Sequence, residues 1–161
     1  MGDELDQERF KDAMAAVPSG LAVVSSASAG GFRALAASSF TSASLDPPLV
    51  LVCLDSQAQT REAVAESAAF NLSVLERSQE FLAERFSGRA PQVDPAWKEV
   101  RHRLGSNGLP IVEGCVAWFE CELRQLYPAG DHDIALGEVI DAGREAGEPL
   151  ILWDRAFWRL G

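Results

Sequence analysis

The chain has 161 residues, of which 47% are hydrophobic, and a formal net charge of −10 at pH 7. This length predicts a single domain, spanning 1–161, with a substantial core. An acidic surface repels phosphate backbones and anionic lipids, so the composition argues against nucleic acid and membrane partners. No apolar run approaches the length of a membrane span and no leader pattern begins the chain, so we expect a cytoplasmic protein.

The first third of the chain predicts a helix followed by a β-hairpin. Residues 1–9 are expected to form a flexible start, and the apolar spacing predicts a helix over 6–16. A strand over 21–25 and a tight turn lead into a second arm, 32–45, whose many small residues indicate close packing against its backbone. After a Pro-Pro corner, an apolar strand follows over 49–54.

The remaining elements also favour strands. The pattern predicts further helices over 56–67 and 79–86, an irregular stretch over 89–110 with a possible short helix at 97–104, and strands over 70–75, 114–126, 132–142 and 150–153. In the strand 114–126 the odd positions form the apolar face, with Trp118, Glu120 and Glu122 on the opposite face. About seven strands and three or four helices predict a mainly β domain, an antiparallel barrel with peripheral helices.

Motifs for a reactive side chain are absent. Cys53, Cys115 and Cys121 fall in apolar segments and are interpreted as small buried residues. His102 is interpreted as a surface residue, and no spacing of His and Cys indicates a metal site. No glycine-rich dinucleotide loop or nucleophile elbow occurs. We therefore expect the function to come from binding, with a bound cofactor supplying the chemistry.

A run of small hydroxyl side chains is the most informative stretch. Five Ser or Thr residues lie within 38–44, and Pro47, Pro48 and the apolar strand 49–54 follow. Short hydroxyl side chains let backbone N–H groups approach an anion closely and can also donate hydrogen bonds themselves. A flavin phosphate or ring edge is one ligand that would use such a surface. Alternatively, the hydroxyl groups simply face water along a strand.

Several motifs occur in the same order as in one known family. They are Pro-x-Gly-x-x-Val-Val at 18–24, Ser-Phe-x-Ser-x-Ser-Leu-x-Pro-Pro-Leu-Val at 39–50, Thr60, the strand at 70–75, the helix end at 79–88, Gly-Asp-His at 130–132 and the aromatic end at 157–160. Over about residues 10–160 the chain resembles the flavin reductase family, which has the FMN-binding split-barrel fold. The serine block and the Gly-Asp-His motif are specific in combination.

The resemblance implies an activity and partners. Members of this family transfer a hydride from NADH or NADPH to FMN or FAD, and they release reduced flavin to a separate flavin-dependent monooxygenase. Relatives are homodimers with each flavin site near the subunit interface. The sequence does not choose between FMN and FAD or between NADH and NADPH. A 2′-phosphate of NADPH could be met by any of four arginines, among which the sequence does not choose: Arg33, Arg61, Arg85 and Arg89.

The resemblance also implies roles for individual residues. The implied flavin-binding residues are Leu35, Ala36, Ala37, Ser38, Ser39, Ser44, Leu45, Asp46, Cys53, Ser56, Gln59, Thr60 and Phe86. Cys53, Ser56, Gln59 and Thr60 match positions that hold the ribityl chain and phosphate. Many relatives have a hydroxyl residue in place of Ala36, so only the backbone could contact flavin there.

The nicotinamide side is implied by the Gly-Asp-His motif. His132 matches the histidine that orients the nicotinamide for hydride transfer and is the catalytic candidate; Asp131 and Trp158 are the other implied nicotinamide-binding residues. Both His132 and Trp158 also have a purely structural interpretation, as a strand-start residue and a packing residue.

Two other functions stay open from the sequence. The protein could be a split-barrel flavoprotein that keeps its flavin bound and acts on its own substrate or transfers electrons. It could also be a non-catalytic member that binds a small molecule.

Overall fold

The computed structural model describes residues 5–87 and 97–161. Three α-helices occur in this part of the chain: α1 Gln7–Ala15, α2 Gln59–Ser67 and α3 Glu80–Arg85. The predictions made for residues 1–4, for Gly88 and Arg89, and for the rest of 88–96 lie outside the described residues. None of the described helices combines the length and apolar character that crossing a bilayer requires.

Twelve strands are formed within the described residues. They are β1 Ser19–Gly20, β2 Ala22–Ser28, β3 Gly31–Ala37, β4 Phe40–Leu45, β5 Pro48–Asp55, β6 Ala69–Val74, β7 His102–Leu104, β8 Pro110–Val112, β9 Ala117–Ala129, β10 His132–Arg144, β11 Ile151–Trp153 and β12 Ala156–Trp158. The strands predicted over 21–25, 49–54, 70–75, 114–126, 132–142 and 150–153 are all present, with shifted ends. The count of about seven was too low because short pairs such as β7–β8 carry little pattern.

Seven strands form one antiparallel sheet in the order β3-β2-β6-β9-β10-β5-β4. Two smaller sheets, β1-β11-β12 and β7-β8, lie beside it. The long strands β9 and β10 form the central ribbon, because β9 also pairs with β6 and β10 also pairs with β5. The expected mainly β antiparallel domain with peripheral helices is therefore confirmed.

The predicted second hairpin arm over 32–45 is two strands. β3 and β4 are separated by Ser38 and Ser39 and lie at opposite edges of the seven-stranded sheet. The chain crosses from one edge to the other at this point, and the backbone N–H of Cys53 on β5 donates to Ser39 O at 3.0 Å. This junction, residues 38–39, brings the two edges of the sheet together.

The core lies on both faces of β2. Val23 packs in one cluster with residues of α3 and β8, whereas Val24 packs in a second cluster with residues of β5, β6 and α2. Successive side chains of a strand point to opposite faces, so the consecutive apolar residues Val23 and Val24 can serve two clusters. The second cluster fills the space beneath β5 and β10, the strands that position the candidate site.

A polar network attaches the β7–β8 hairpin to the outside of the large sheet. Asn71 on β6 donates to Leu109 O at 3.1 Å and accepts from Asn107 Nδ2 at 2.7 Å. Ser25 Oγ on β2 donates to Pro110 O at 2.6 Å. The helix predicted over 97–104 is therefore wrong beyond its first turn, since only Trp97–Glu99 is helical (3-10) and His102 begins a strand.

Glu120 and His102 both differ from their predicted environments. Glu120 was placed on the outward face of its strand but is only 1% exposed, because the β7–β8 hairpin covers it. Its carboxylate accepts from Ser106 Oγ and Asn107 N, each at 3.3 Å. His102 is half-buried, with its ring centroid 5.2 Å from that of Trp97, so its interpretation as a surface residue is wrong.

Helix α1 is present as predicted, but none of its residues is buried within the chain. It is held at its C-terminal end, where Trp153 Nε1 donates to Ala16 O at 3.0 Å and Asp154 N donates to Ala15 O at 2.8 Å. Its apolar side chains face solvent, with Phe10 55% and Met14 51% exposed. The amphipathic pattern therefore predicted the helix correctly, but the apolar face of α1 does not pack against the core of this chain.

Candidate functional site

The predicted flavin-binding residues of the 38–39 junction lie against the end of β5. Ser39 O accepts from Cys53 N at 3.0 Å, and Ser39 Oγ donates to Cys53 O at 3.2 Å. Ser38 and Ser39 are exposed, and Cys53 is half-buried rather than fully buried as predicted. Ser39 and Cys53, which the resemblance assigns to different parts of the flavin, are therefore adjacent in the fold.

The Gly-Asp-His turn lies beside the same end of β5. His132 at the start of β10 is directly opposite Asp55, the last residue of β5. Beyond the strand, the backbone N–H of Ser56 donates to Asp131 O at 3.1 Å. The candidate catalytic residue and the candidate ribityl-binding residues therefore converge on one edge of the barrel, which we call the β5 end.

His132 has a defined orientation. Its Nδ1 lies 2.7 Å from Asp131 Oδ1, and its side chain is 41% exposed. An ionised carboxylate only accepts, so Nδ1 carries the proton in this pair and Nε2 of the neutral ring is left as an acceptor. The hydrogen bond from His132 holds the pKa of the Asp131 carboxyl below its usual value. The ring is thus anchored on one side and open on the other.

Helix α2 begins at the β5 end with unused donors. It was predicted to start at Ser56 but starts at Gln59, because Asp55 Oδ1 accepts from Gln57 N at 2.8 Å and closes a turn first. The N-cap residue Ala58 has no side-chain cap. Within the described residues, the backbone N–H groups of Gln59 and Thr60 make no hydrogen bond. Such open donors at a helix start favour an anion.

Thr60 adds a polar group to the same turn. It is only 3% exposed, and its hydroxyl makes no hydrogen bond to any described residue. Ser56 is half-buried and Gln59 is exposed. The Thr60 hydroxyl oxygen is not among the described side-chain atoms that are both fully buried and without a hydrogen-bond partner. The open backbone donors therefore lie in the turn where the resemblance implies the ribityl chain and phosphate, and that assignment stays a prediction.

The residues predicted on β3 and at Phe86 are connected through the backbone. Ala36 N donates to Phe86 O at 2.9 Å. Phe86 is 4% exposed, and its ring centroid lies 5.2 Å from that of Trp97. Phe86 is therefore a core residue that supports β3. Leu35 and Ala36 are half-buried and Ala37 is buried, so this strand presents mainly its backbone and small side chains.

Three predicted flavin-binding residues lie away from the β5 end. Ser44 and Leu45 pair with the first residues of β5, and Asp46 follows in the turn. Leu45 is opposite Pro48, which is about 17 Å along the strand from Cys53 at the usual rise per residue. Leu45 is 93% exposed. Within one chain, this corner and the β5 end are separate surfaces.

Trp158 also lies elsewhere in the described part of the chain. Its indole N–H donates to Trp153 O at 2.8 Å, and the two ring centroids are 5.3 Å apart. Trp153 in turn reaches α1. This tryptophan pair belongs to the small β1-β11-β12 sheet, and the structure forms no contact between Trp158 and His132 among the residues described.

Sequence reasoning missed Asp133. Arg61 Nε donates to Asp133 Oδ2 at 2.5 Å, and the Asp133 side chain is 9% exposed. The signal was available, because Asp133 occupies a position that alternates with Ala135 and Gly137 on the buried face of β10. An acidic residue in such a pattern indicates a partner of opposite charge.

The described thiols and carboxylates do not suggest other chemistry. Burial raises the pKa of Cys115 to about 11 and that of Cys121 to about 12, so both thiols stay protonated at neutral pH. Among the residues of 5–87 and 97–161, no group of three or more His, Cys, Asp or Glu side chains is arranged to hold a metal ion.

Comparison with known proteins identifies the family. The family model described as "Flavin reductase like domain" matches residues 14–161. The chain belongs to the flavin reductase family. The family and its split-barrel fold, which the motifs implied, are both confirmed.

Two curated relatives illustrate the range within this family. The actinorhodin polyketide dimerase of Streptomyces coelicolor is 39% identical over 154 residues, covering 94% of this chain and 85% of that protein. The reductase component of 4-hydroxyphenylacetate 3-monooxygenase from Thermus thermophilus is 36% identical over 156 residues, covering 96% and 97%. The similarity to these family members therefore extends over nearly the whole chain.

A solved member of the flavin reductase family has nearly the same backbone. The NADH:FAD oxidoreductase SgcE6 of Streptomyces globisporus matches with a TM-score of 0.90 and 37% identity, covering 100% of this chain and 97% of that chain. A second structure of SgcE6, in complex with NAD and FAD fragments, matches with a TM-score of 0.88. The fold is thus compatible with binding of both nucleotides.

Proposed function

We propose that this protein is an NAD(P)H:flavin oxidoreductase that reduces FMN or FAD and supplies the reduced flavin to a separate monooxygenase. The observation that carries the proposal is the β5 end, where Ser39, Cys53, the open start of α2 and His132 converge in a chain of the flavin reductase family. One relative is itself named as the reductase component of a monooxygenase. This supports the role of a monooxygenase as recipient.

The residues of the β5 end fit a flavin. The open N–H groups of Gln59 and Thr60 match a phosphate, while Ser38 and Ser39 offer exposed hydroxyl groups for a ribityl chain. The flavin would supply the chemistry, accepting a hydride at N5 from nicotinamide C4 and a proton from water, with NAD(P)⁺ as the other product.

The side chains then have positioning roles. His132 would hold the nicotinamide beside the flavin through its open ring edge, and Asp131 would keep that ring in one orientation. Holding two reactants together in this way accelerates the reaction by proximity, without proton transfer from the protein.

A direct assay tests the activity. Oxidation of NADH and of NADPH is followed by nicotinamide absorbance, with and without FMN or FAD, under limiting oxygen. We expect oxidation that depends on added flavin. A yellow protein that oxidises NADH slowly and ignores free flavin would instead indicate a flavoprotein with its own substrate. A folded, colourless protein without activity for any nucleotide and flavin pair would contradict the proposal.

We also propose that the protein is a homodimer in the cytoplasm. An isolated nine-residue helix is marginal in water, yet α1 leaves Phe10, Met14 and Val17 half-exposed, so a second copy would cover this apolar face. Sedimentation is expected to show a dimer, with Phe10→Glu shifting the mass toward the monomer; a monomer at all concentrations would contradict this.

Three free cysteines support a reducing compartment.

A further inference from the structure

An ion pair connects helix α2 to the strand that bears His132. Arg61 lies in α2, and its Nε donates to Asp133 Oδ2 on β10 at 2.5 Å. Asp133 directly follows His132 in β10 and pairs with Leu54 on β5. Among the hydrogen bonds of the described residues, this is the one that joins α2 to β10. The pair therefore restrains the helix relative to the start of β10.

Asp133 and His132 project to opposite sides of β10, because neighbouring side chains of a strand point to opposite faces. Asp133 lies on the same face as Ala135, which belongs to the second core cluster. Its side chain is 9% exposed, whereas that of His132 is 41% exposed. Arg61 thus holds, from the inner side of the barrel, the backbone from which the imidazole ring projects outward.

The other contacts of the Gly-Asp-His turn restrain different parts of it. Asp131 Oδ1 lies 2.7 Å from His132 Nδ1 and restrains the rotation of the ring. Asp131 O accepts from Ser56 N at 3.1 Å, which restrains the turn relative to the end of β5. Neither contact reaches α2, whose first turn contains predicted flavin-binding residues. Within the described residues, the ion pair is therefore the direct link between that helix and the strand of the histidine.

Stability alone does not account for a charged pair at this position. A buried ion pair loses its hydration, and apolar side chains of similar volume often stabilise a protein equally well or better. Asp133 lies opposite Leu54 and two residues from Ala135, so an apolar side chain would fit the surrounding pattern. The pair adds a fixed direction instead, because a planar guanidinium makes charge-assisted hydrogen bonds of defined geometry.

We propose that the Arg61–Asp133 pair positions His132 relative to α2, so that a nicotinamide held by His132 lies at hydride-transfer distance from the flavin. Asp133 is a positioning residue that acts through His132 and contacts neither nucleotide. The inference rests on the proposed function, because it concerns the distance between the two reactants of that reaction. Loosening this distance lowers the rate of hydride transfer more than it lowers either affinity.

NMR of the imidazole rings tests the positioning in the protein without ligand. The chain has two histidines, so His102 is an internal reference and His132→Ala assigns the signals. In Asp133→Asn, we expect the His132 ring signals to shift or broaden while those of His102 stay unchanged. Glu138→Gln is the matched control, because it also removes a carboxylate of β10 from an ion pair, in that case with Arg124. It should leave both rings as in the wild type.

Single-turnover reduction of FMN by NADH tests the kinetic consequence. Bleaching of the bound flavin is followed without oxygen at saturating concentrations, with NADH and with NADH deuterated at C4, so that the isotope effect identifies hydride transfer. We expect Asp133→Asn to lower this rate about 10-fold, less than a full ångström of misplacement would cost. The dissociation constant for FMN should change by less than about twofold, and Glu138→Gln should keep the wild-type rate.

A double-mutant cycle with His132→Ala separates positioning from a general loss of stability. If Asp133 acts through His132, Asp133→Asn should alter the rate by less than about twofold in the His132→Ala background. The apolar pair Arg61→Met with Asp133→Leu should keep the wild-type unfolding temperature and still show the loss of rate, because it packs without a directional bond. Thermal unfolding checks that every variant is folded at the assay temperature.

Three results would overturn the inference. The first is an equal loss of rate from Asp133→Asn with and without His132. The second is a wild-type rate or unchanged His132 ring signals in Asp133→Asn, and the third is an FMN affinity that falls in proportion to the rate. A wild type that reduces no flavin would remove the proposed function and this inference with it, whereas any of the three results in a protein that reduces flavin would remove the inference alone.

Discussion

His132→Ala is expected to lower kcat/KM for flavin-dependent NADH oxidation about 100-fold, the cost of misplacing a reactant by about an ångström. The His132 ring is 41% exposed and is anchored by Asp131 at 2.7 Å, so its open edge can hold the nicotinamide against the flavin. Removing the ring should abolish this orientation but leave the proposed flavin-binding residues of β5 and α2 in place. Steady-state and single-turnover rates with each nucleotide measure the effect.

The affinity for FMN provides the internal control for this variant. Because we propose that His132 contacts the nicotinamide and not the flavin, His132→Ala should bind FMN almost as tightly as the wild type and unfold at nearly the same temperature. Gln125→Ala, an exposed change on the neighbouring strand β9, is the matched variant. If the two variants showed the same activity, His132 would have only a structural role.

Asn71→Asp is expected to lower the free energy of unfolding by about 3–5 kcal/mol, the range for an uncompensated buried charge. Asn71 is fully buried, donates to Leu109 O at 3.1 Å and is directly opposite Glu120 on β9. An ionised aspartate could not donate to that carbonyl, and its charge would lie beside the buried Glu120 carboxylate. Urea unfolding followed by far-UV circular dichroism measures the loss.

Gln125→Glu makes the same chemical change at an exposed position of β9 and should alter the unfolding free energy by less than about 0.5 kcal/mol. Hydrogen exchange adds a local readout, since the amides of β7 and β8 should lose protection in Asn71→Asp. A midpoint and protection pattern equal to those of Gln125→Glu would mean that the β7–β8 hairpin is not held by Asn71.

The strands with strong apolar patterns were predictable from the sequence. Residues 49–54 and 70–75 contain Val, Leu and Phe in runs that fit a buried strand, and both form strands within one or two residues of the predicted ends. Helix α1 was predictable from its spacing, because period and capping are local properties. Its exposed apolar face was not, since burial depends on what lies beside the helix.

The parts that failed depend on contacts between distant residues. The sequence of 32–45 contains no signal that β3 and β4 lie at opposite edges of the sheet, because both strands are rich in small and hydroxyl side chains. Glu120 fits an outward position until a hairpin from elsewhere in the chain covers it. The polar network of that hairpin joins residues as far apart as Ser25 and Pro110.

The sequence predicted the residues of the candidate site that belong to local motifs, but not those that depend on contacts between distant segments. The serine run and the Gly-Asp-His motif are local patterns, so they identified Ser39, Cys53 and His132 before the fold brought them together. The start of α2 was misplaced because the side chain of Asp55 forms a competing turn. The Arg61–Asp133 pair became visible only when α2 and β10 were placed side by side.

The 38–39 junction has a consequence for the protein without ligand. The two outermost strands of the large sheet are consecutive in the chain, so the barrel wall is closed by the covalent link through Ser38 and Ser39 and by their bonds to Cys53. Exposed hydroxyl residues provide little burial to hold this seam shut. A flavin that contacts both β3 and β5 would stabilise the closed barrel by binding to it. The fraction of molecules in which this seam opens would therefore fall as the flavin concentration rises.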